Sequence, residues 1–316
     1  MSSLSHKIDF ALIISVRKAN PNGDPLNDNR PRTDYSGKGE ITDVCLKRKI
    51  RDRLQADEQA IFVQSDEKKI DGMNSLRDRA EANPPIGLGK DVFKDKEKLA
   101  KLACEKWLDV RSFGQLFAYK YKKDEDEEAS IGKAKKGNAE GVSIAIRGPV
   151  TIQSAFSIER INITSTQITK SVSGESDGTK KGSDTMGMKH RVEDTAIYVT
   201  YGAMTPQLAE RTGFSDNDAE LIKAVLPRLF EGDESSARPA GSMAVKKVIW
   251  WQHNSKAGQY SSANVHILLS ELIDAWKENI KEGKSLLNQI DNLKPDSENA
   301  KKLEVGNLKP EIIDGF

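Results

Sequence analysis

Residues 6–17, HKIDFALIISVR, constrain the fold more than any other stretch of the chain. Ile8, Phe10, Leu12, Ile14 and Val16 alternate along one face, which is the period of a β-strand. Ala11 and Ile13 make the interior of the other face apolar too. Such a strand is predicted to lie in the middle of a sheet, covered on both sides. It stops at Asn20-Pro21-Asn22-Gly23-Asp24-Pro25, where the turn chemistry is dense.

A polar loop with Arg30 and Arg32 leads to a predicted helix at 42–54, with Thr42 as its N-cap. Leu46, Ile50 and Leu54 form an i, i+4, i+8 stripe that should pack on the sheet. Residues 56–110 are charged and weakly patterned, and read as an insertion with short helices. One of these, at 96–108, carries Leu99, Leu102, Ala103 and Trp107. Asp109-Val110-Arg111-Ser112-Phe113-Gly114 is a junction into another ordered segment. Residues 122–140 read as a solvated loop. The 141–162 stretch gives two strands, or one bent strand, around Gly148-Pro149.

Residues 164–191 carry almost no core, yet residues 195–201 (TAIYVTY) form a clear strand, so the segment before them is an excursion from the sheet. A helix is predicted to start at Ser215, with Asp218 completing a capping-box pattern and Pro227 kinking its end. A strand at 243–251 and an amphipathic helix at 265–280 follow. The repeated Asn-Leu-Lys-Pro at 292–295 and 307–310 is too little for a repeat architecture. This order predicts an α+β fold, an antiparallel sheet of ferredoxin-like or RRM-like kind with two large insertions.

Composition narrows the function classes. The net charge of the 316 residues is only +1, so local rather than global charge decides nucleic-acid binding. Cys45 and Cys104 form no CxxC pair and suggest reduced thiols; the four histidines show no metal-ligand spacing. No signal-peptide pattern opens the chain, and the longest apolar run is strand length, so a soluble cytoplasmic protein is expected. There is no P-loop, HExxH or GxSxG. His190 lies near Asp184 and Asp194 in sequence, but a lone loop histidine is a weak general base. Asp24, Asp28 and Asp34 either ligate a metal or simply make turns.

Three groups of residues suit RNA. The 42–54 helix carries Lys47, Arg48, Lys49, Arg51 and Arg53, which either meet successive phosphates or form a solvated face. The 164–191 excursion combines glycines with Lys170, Lys180, Lys181, Lys189, His190 and Arg191. Its Met186 and Met188 either wedge between bases or ride on a plain surface loop. The turn from Asn20 to Pro25, with Ser112 and Gln115, offers amide and hydroxyl donors for phosphates or sugar hydroxyls, or only makes turns.

Several segments together resemble the CRISPR-associated Cas-seven family, in particular the type I-C Cascade backbone subunit. They are the first strand running into Asn20-Pro21-Asn22-Gly23-Asp24-Pro25, then Thr42-Asp43-Val44-Cys45-Leu46-Lys47-Arg48-Lys49-Ile50-Arg51-Asp52, then Asp109-Val110-Arg111-Ser112-Phe113-Gly114, then Met186-Gly187 through Lys189-His190 to Tyr198. The resemblance implies a hand-shaped protein. Its RRM-like palm comprises 1–55, 111–163 (with the acidic loop 122–140) and 195–282; fingers lie at 56–110, a thumb at 164–194 and a tail at 283–316.

The resemblance further implies that copies stack along a crRNA guide and that each thumb displaces a base. RNA-contacting residues would be Asn20, Asn22, Arg30, Arg32, Lys47, Arg48, Arg51, Ser112, Gln115, Lys189 and His190, with Met186 and Met188 as the wedge. Implied partners are crRNA, the target DNA strand, further copies, Cas-five and Cas-eight type subunits and a recruited helicase-nuclease. No cofactor, catalysis or membrane is implied. Two alternatives stay open: a metal-dependent RNA endonuclease of the type III kind using Asp24, Asp28 or Asp34, and a general single-stranded RNA-binding protein.

Overall fold

The computed structural model describes residues 3–120, 141–169, 185–281 and 285–316. The loop expected at 122–140, and residues 170–184 of the 164–191 excursion, lie outside the described residues.

The first half of the chain forms β1 (Ile8–Arg17), the two-residue strands β2 (Gly23–Asp24) and β3 (Arg30–Pro31), β4 (Lys38–Ile41), α1 (Asp43–Ala56), α2 (Leu76–Glu81), α3 (Lys96–Lys106), α4 (Leu108–Phe113), β5 (Gly114–Lys120) and β6 (Gly141–Arg147). The second half forms β7 (Val150–Ile152), β8 (Ala155–Arg160), β9 (Ile163–Thr169), β10 (Thr185–Val192), β11 (Thr195–Met204), α5 (Pro206–Thr212), α6 (Asp216–Val225), β12 (Met243–Gln252), α7 (Ser262–Lys281), α8 (Leu286–Asp291), α9 (Glu298–Lys301) and β13 (Pro310–Asp314). The main sheet runs β13-β12-β1-β11-β8-β4, with β7 also on β11. Its ladders are antiparallel, and the whole is a mixed α/β fold.

β1 is central, as its two apolar faces require. It pairs with β11 along its full length, from Ile8↔Met204 to Arg17↔Thr195, and with β12 on its other edge. Phe10, Leu12, Ile14 and Val16 share one core with Leu46, Ile50 and Leu54 of α1 and with Ile222 and Val225 of α6. Ala11 and Ile13 face a second core built from Ile249, Trp251 and the α7 residues Leu269, Leu272 and Trp276. Full burial of each large apolar side chain stabilises the fold by roughly 1.5–3 kcal/mol. Phe10 stacks on Trp250 at 5.7 Å, and its cross-strand neighbour on the other side is Gly202. A Cβ at Gly202 would come 2.1 Å from the Phe10 ring, so the aromatic needs a residue without one.

The predicted caps hold. The Thr42 side chain accepts from Cys45 N, and Ser215 and Asp218 form a reciprocal capping box. Helix α6 does not continue bent through Pro227; it ends at Val225, and a 3-10 turn spans Leu226–Arg228. Proline supplies no N–H for a further helical bond.

Three readings change. The 141–162 stretch is three strands, and β6 leaves the main sheet to pair with β5. Phe117 of β5 and Ile144 of β6 bury in a third core with Phe62, Phe93, Leu99 and Trp107, so this hairpin packs on the 56–113 segment. The ends of the 164–191 excursion are not loop: β9 and β10 form an antiparallel ribbon. The segment set apart as a tail also belongs to the sheet. Strand β13 pairs with β12, and Ile290, Leu293, Leu303 and Leu308 complete the second core.

Candidate nucleic-acid interface

The turn after β1 builds the first part of the site. Asn20 is buried, and its Nδ2 donates to Asn29 O at 2.7 Å, tying the end of β1 to the β2–β3 hairpin. Asn22 Oδ1 accepts from Thr42 N at 3.0 Å and from Thr42 Oγ1 at 2.9 Å. The same Thr42 oxygen caps α1, so Asn22 fixes the start of that helix against the turn. Arg32 N donates to Asn22 O at 3.1 Å, and its guanidinium lies 3.4 Å from Asp24 Oδ1. Arg30 is exposed on β3.

The base of the β9–β10 ribbon meets this turn. Val192 N donates to Ala19 O at 2.9 Å, and β10 packs against β3. His190 is buried, with Nδ1 at 2.7 Å from Ser165 Oγ. Lys189 is half-buried and Met188 half exposed. Met186 lies in β10, and its side chain falls outside the described residues. Three buried polar atoms in this region, Asn20 Oδ1, Arg32 Nε and His190 Nε2, have no hydrogen-bond partner among the described residues. Buried polar groups are normally paired; atoms of this kind also occur in the core, at Tyr198, Trp250 and Trp276.

Helix α1 treats its cations differently. Arg51 Nε donates to Asp109 Oδ2 at 3.0 Å, and its guanidinium lies 5.0 Å over the Phe113 ring. Asp109 is fully buried and also accepts from Phe62 N at 2.7 Å and Val63 N at 3.0 Å. Arg111 pairs with Asp218 through two bonds, at 3.1 and 2.8 Å. Lys49 pairs with Asp233. Lys47, 3.0 Å from Asp43, Arg48, 3.2 Å from Asp52, and Arg53, 3.5 Å from Asp57, form ordinary i,i+4 pairs.

The sequence-predicted residues therefore divide. Asn20, Asn22, Arg30, Arg32, Lys189 and His190 share one corner, joined to the start of α1. Ser112 does not belong there: it is fully buried and its hydroxyl donates to Leu108 O at 2.6 Å, so that side chain is closed to a ligand. Arg51 is likewise held in the seam between α1 and α4. Gln115 bonds back to Leu116 O at 3.0 Å on β5. Pattern reading missed Leu26 and Tyr35, large apolar side chains that stand fully exposed on the turns beside β2 and β3. The available signal was a leucine and a tyrosine within turn chemistry that needs neither.

The loop aspartates serve as turn residues. One oxygen of Asp34 accepts from Ser36 N, Ser36 Oγ and Lys38 N at 2.7–2.9 Å. The serine hydroxyl holds the Asp34 carboxyl below the usual range, against the opposing pull of desolvation. Asp24 Oδ1 takes Leu26 N at 3.3 Å, and Asp28 adopts a left-handed backbone at φ 55°. Among the described residues, no group of three or more His, Cys, Asp or Glu is placed to hold a metal ion. No helix among them is long and apolar enough to cross a membrane.

The sequence matches the family described as "CRISPR-associated protein Cas7" over residues 6–294. A curated relative of that description from Haloferax volcanii is 26% identical over 292 residues, covering 91% of this chain and 82% of the relative. A chain of a solved "CRISPR RNA-guided surveillance complex, pre-nicking" is similar with a TM-score of 0.45 and 15% identity, over 78% of each chain. A chain of a "CRISPR RNA-guided surveillance complex" is similar with a TM-score of 0.42 and 14% identity, over 94% of this chain and 96% of that one. With the family match spanning nearly the whole sheet, the corner and the ribbon, the chain belongs to the CRISPR-associated protein Cas7 family.

Proposed function

We propose that the protein is a backbone subunit of a type I-C CRISPR complex, binding crRNA without catalysis, and that copies of it line up along the guide. The observation that carries this is the family match over residues 6–294. The strand order β12-β1-β11-β8, with α1 and α6 as the two crossovers, supports an RRM-like palm. The 56–113 segment with the β5–β6 hairpin serves as fingers, and the β9–β10 ribbon as thumb.

The guide backbone runs through the corner at the end of β1, with Arg30, Arg32 and Lys189 meeting phosphates. Asn20, Asn22 and His190 shape its wall. Lys47 and Arg48 extend the path along α1, because helical i,i+4 pairs hold only about 0.3–0.5 kcal/mol and leave each half-buried cation able to turn to a phosphate. Met188, with Met186, acts as the base wedge. Base pairing of the guide, not the protein, reads the target strand. Other effector subunits and a recruited helicase-nuclease complete the assembly, in the cytoplasm.

The test is size-exclusion chromatography of the chain co-expressed with its CRISPR array and neighbouring subunits. The expected result is a large particle rich in 260 nm absorbance whose RNA is one guide-length species. A small nucleic-acid-free species, with the partners soluble, overturns the reading. The endonuclease alternative makes a separate prediction: magnesium-dependent RNA cleavage by the wild-type complex, lost in Asp34→Ala with RNA binding intact.

A further inference from the structure

Helix α7 does not cover all of the second sheet face. Its apolar residues lie over β12, β1 and β11, while β8 and β4 extend beyond it. Between the helix and these outer strands lies a hollow of about 180 Å³, walled by Tyr201, Ser270 and Ile273 and floored by Phe156 and Ile158. The Tyr201 hydroxyl, 2.9 Å from Ser270 Oγ, closes the inner wall. A second hollow of about 210 Å³ shares Ser157 and Ile158 with the first and runs toward Asn162 and Val192, at the base of the β9–β10 ribbon. Together they form a groove along β8.

Two features say what the groove suits. Phe156 is 41% exposed on the sheet face, whereas Ile158, two residues along the same face, is buried. An aromatic ring left open on a sheet floor is a stacking platform, and such platforms hold unpaired bases because every base has a π-face. The second feature is a like-charge pair. Lys38 on β4 stands directly opposite Arg160 on β8. Like charges in that position destabilise a sheet. Neither makes an ion pair within 4 Å among the described residues. Lys38 also lines the hollow that Phe156 floors. The other charges around the groove are Lys277, already paired with Asp274 at 2.8 Å, Glu40 opposite Phe156, Glu159 and Asp194 on the second hollow, and Asp34, close enough to Lys38 for the lysine to help lower its carboxyl. A phosphate bridging Lys38 and Arg160 relieves their repulsion while the neighbouring base lies on Phe156.

We propose that the β8 groove is a second nucleic-acid site, taking an unpaired nucleotide of a single strand with its base on Phe156 and a phosphate between Lys38 and Arg160. The inference rests on the RNA-binding reading above, but places this nucleotide beside α7, apart from the corner at the end of β1. The shared chemistry fits an RNA or a DNA strand.

The full chain is irradiated with single-stranded RNA containing 4-thiouridine and, separately, single-stranded DNA containing 4-thiothymidine, and the crosslinked peptides are mapped. The expected product is a crosslink on the peptide holding Phe156. Phe156→Ala should abolish it and weaken that oligonucleotide's binding about tenfold, within the usual range for one stacked base. Which oligonucleotide reacts identifies the source. Crosslinks confined to the β9–β10 ribbon and the β1 corner overturn the proposal and leave the RNA-binding reading standing. Absence of binding and crosslinks with both oligonucleotides and with co-expressed guide overturns both. Phe156→Ala particles that lose self-association, with nucleic-acid binding and crosslinks unchanged, give the groove to a second copy instead.

Discussion

The seam between α1 and α4, and the corner at the end of β1, are both rich in charged and amide groups, and use them in opposite ways. In the seam, Arg51 and Arg111 each meet a buried carboxylate, and Asp109 adds two backbone amides. In the corner, Asn20, Arg32 and His190 each keep one buried polar atom without a partner among the described residues. The seam's bonding is architectural, whereas the corner leaves groups open to the recognition proposed above. A basic residue type in a sequence does not say which of the two it serves.

Three variants test this contrast. The largest effect should come from Asp109→Ala. It strands the Arg51 guanidinium and two buried amides, so the stability measured by urea denaturation should fall by about 3–5 kcal/mol. A loss below about 1 kcal/mol would mean the seam is not a fixed joint. Next, Arg30→Glu with Arg32→Glu should weaken guide RNA binding about tenfold or more. The slope of log K against log salt should shrink by about 0.7 for each phosphate that is no longer neutralised. An unchanged affinity and slope would remove the corner from the RNA path. The smallest effect is expected from Lys47→Ala with Arg48→Ala. Each i,i+4 pair contributes roughly 0.3–0.5 kcal/mol to stability, and RNA affinity should fall only a few-fold. A loss as large as that at Arg30 and Arg32 would move the main path onto α1.

The same contrast explains what could be read beforehand. Strands β1, β11 and β12 and helices α1, α6 and α7 were legible because each is long and periodic, and buries a face that its own residues declare. The 285–316 segment was not, because its helices are short and its apolar residues bury only when they meet a sheet contributed from elsewhere. Local signals singled out residues that do share a corner in the turn from Asn20 to Arg32, where bonding partners sit within a few dozen positions. They misled at Arg51 and Ser112. The partner of Arg51, Asp109, lies 58 positions away, and Ser112 looks like an exposed turn donor until the helical turn that buries it is seen. Phe156 gave no signal, since its exposure depends on where α7 stops.

The placement of β1 has a consequence for how the protein is made. β11 begins about 180 residues further along, so β1 is a strand made well before its pairing partner. At the usual pace of synthesis, roughly 5–20 residues per second, that strand waits about 10–40 s without either sheet neighbour. The 56–113 segment, whose core Phe117 and Ile144 complete, can collapse during that interval; β1 still lacks its sheet neighbours. In newly made chains the edges of β1 should therefore stay open to other strands or to chaperones until residues 195–252 emerge.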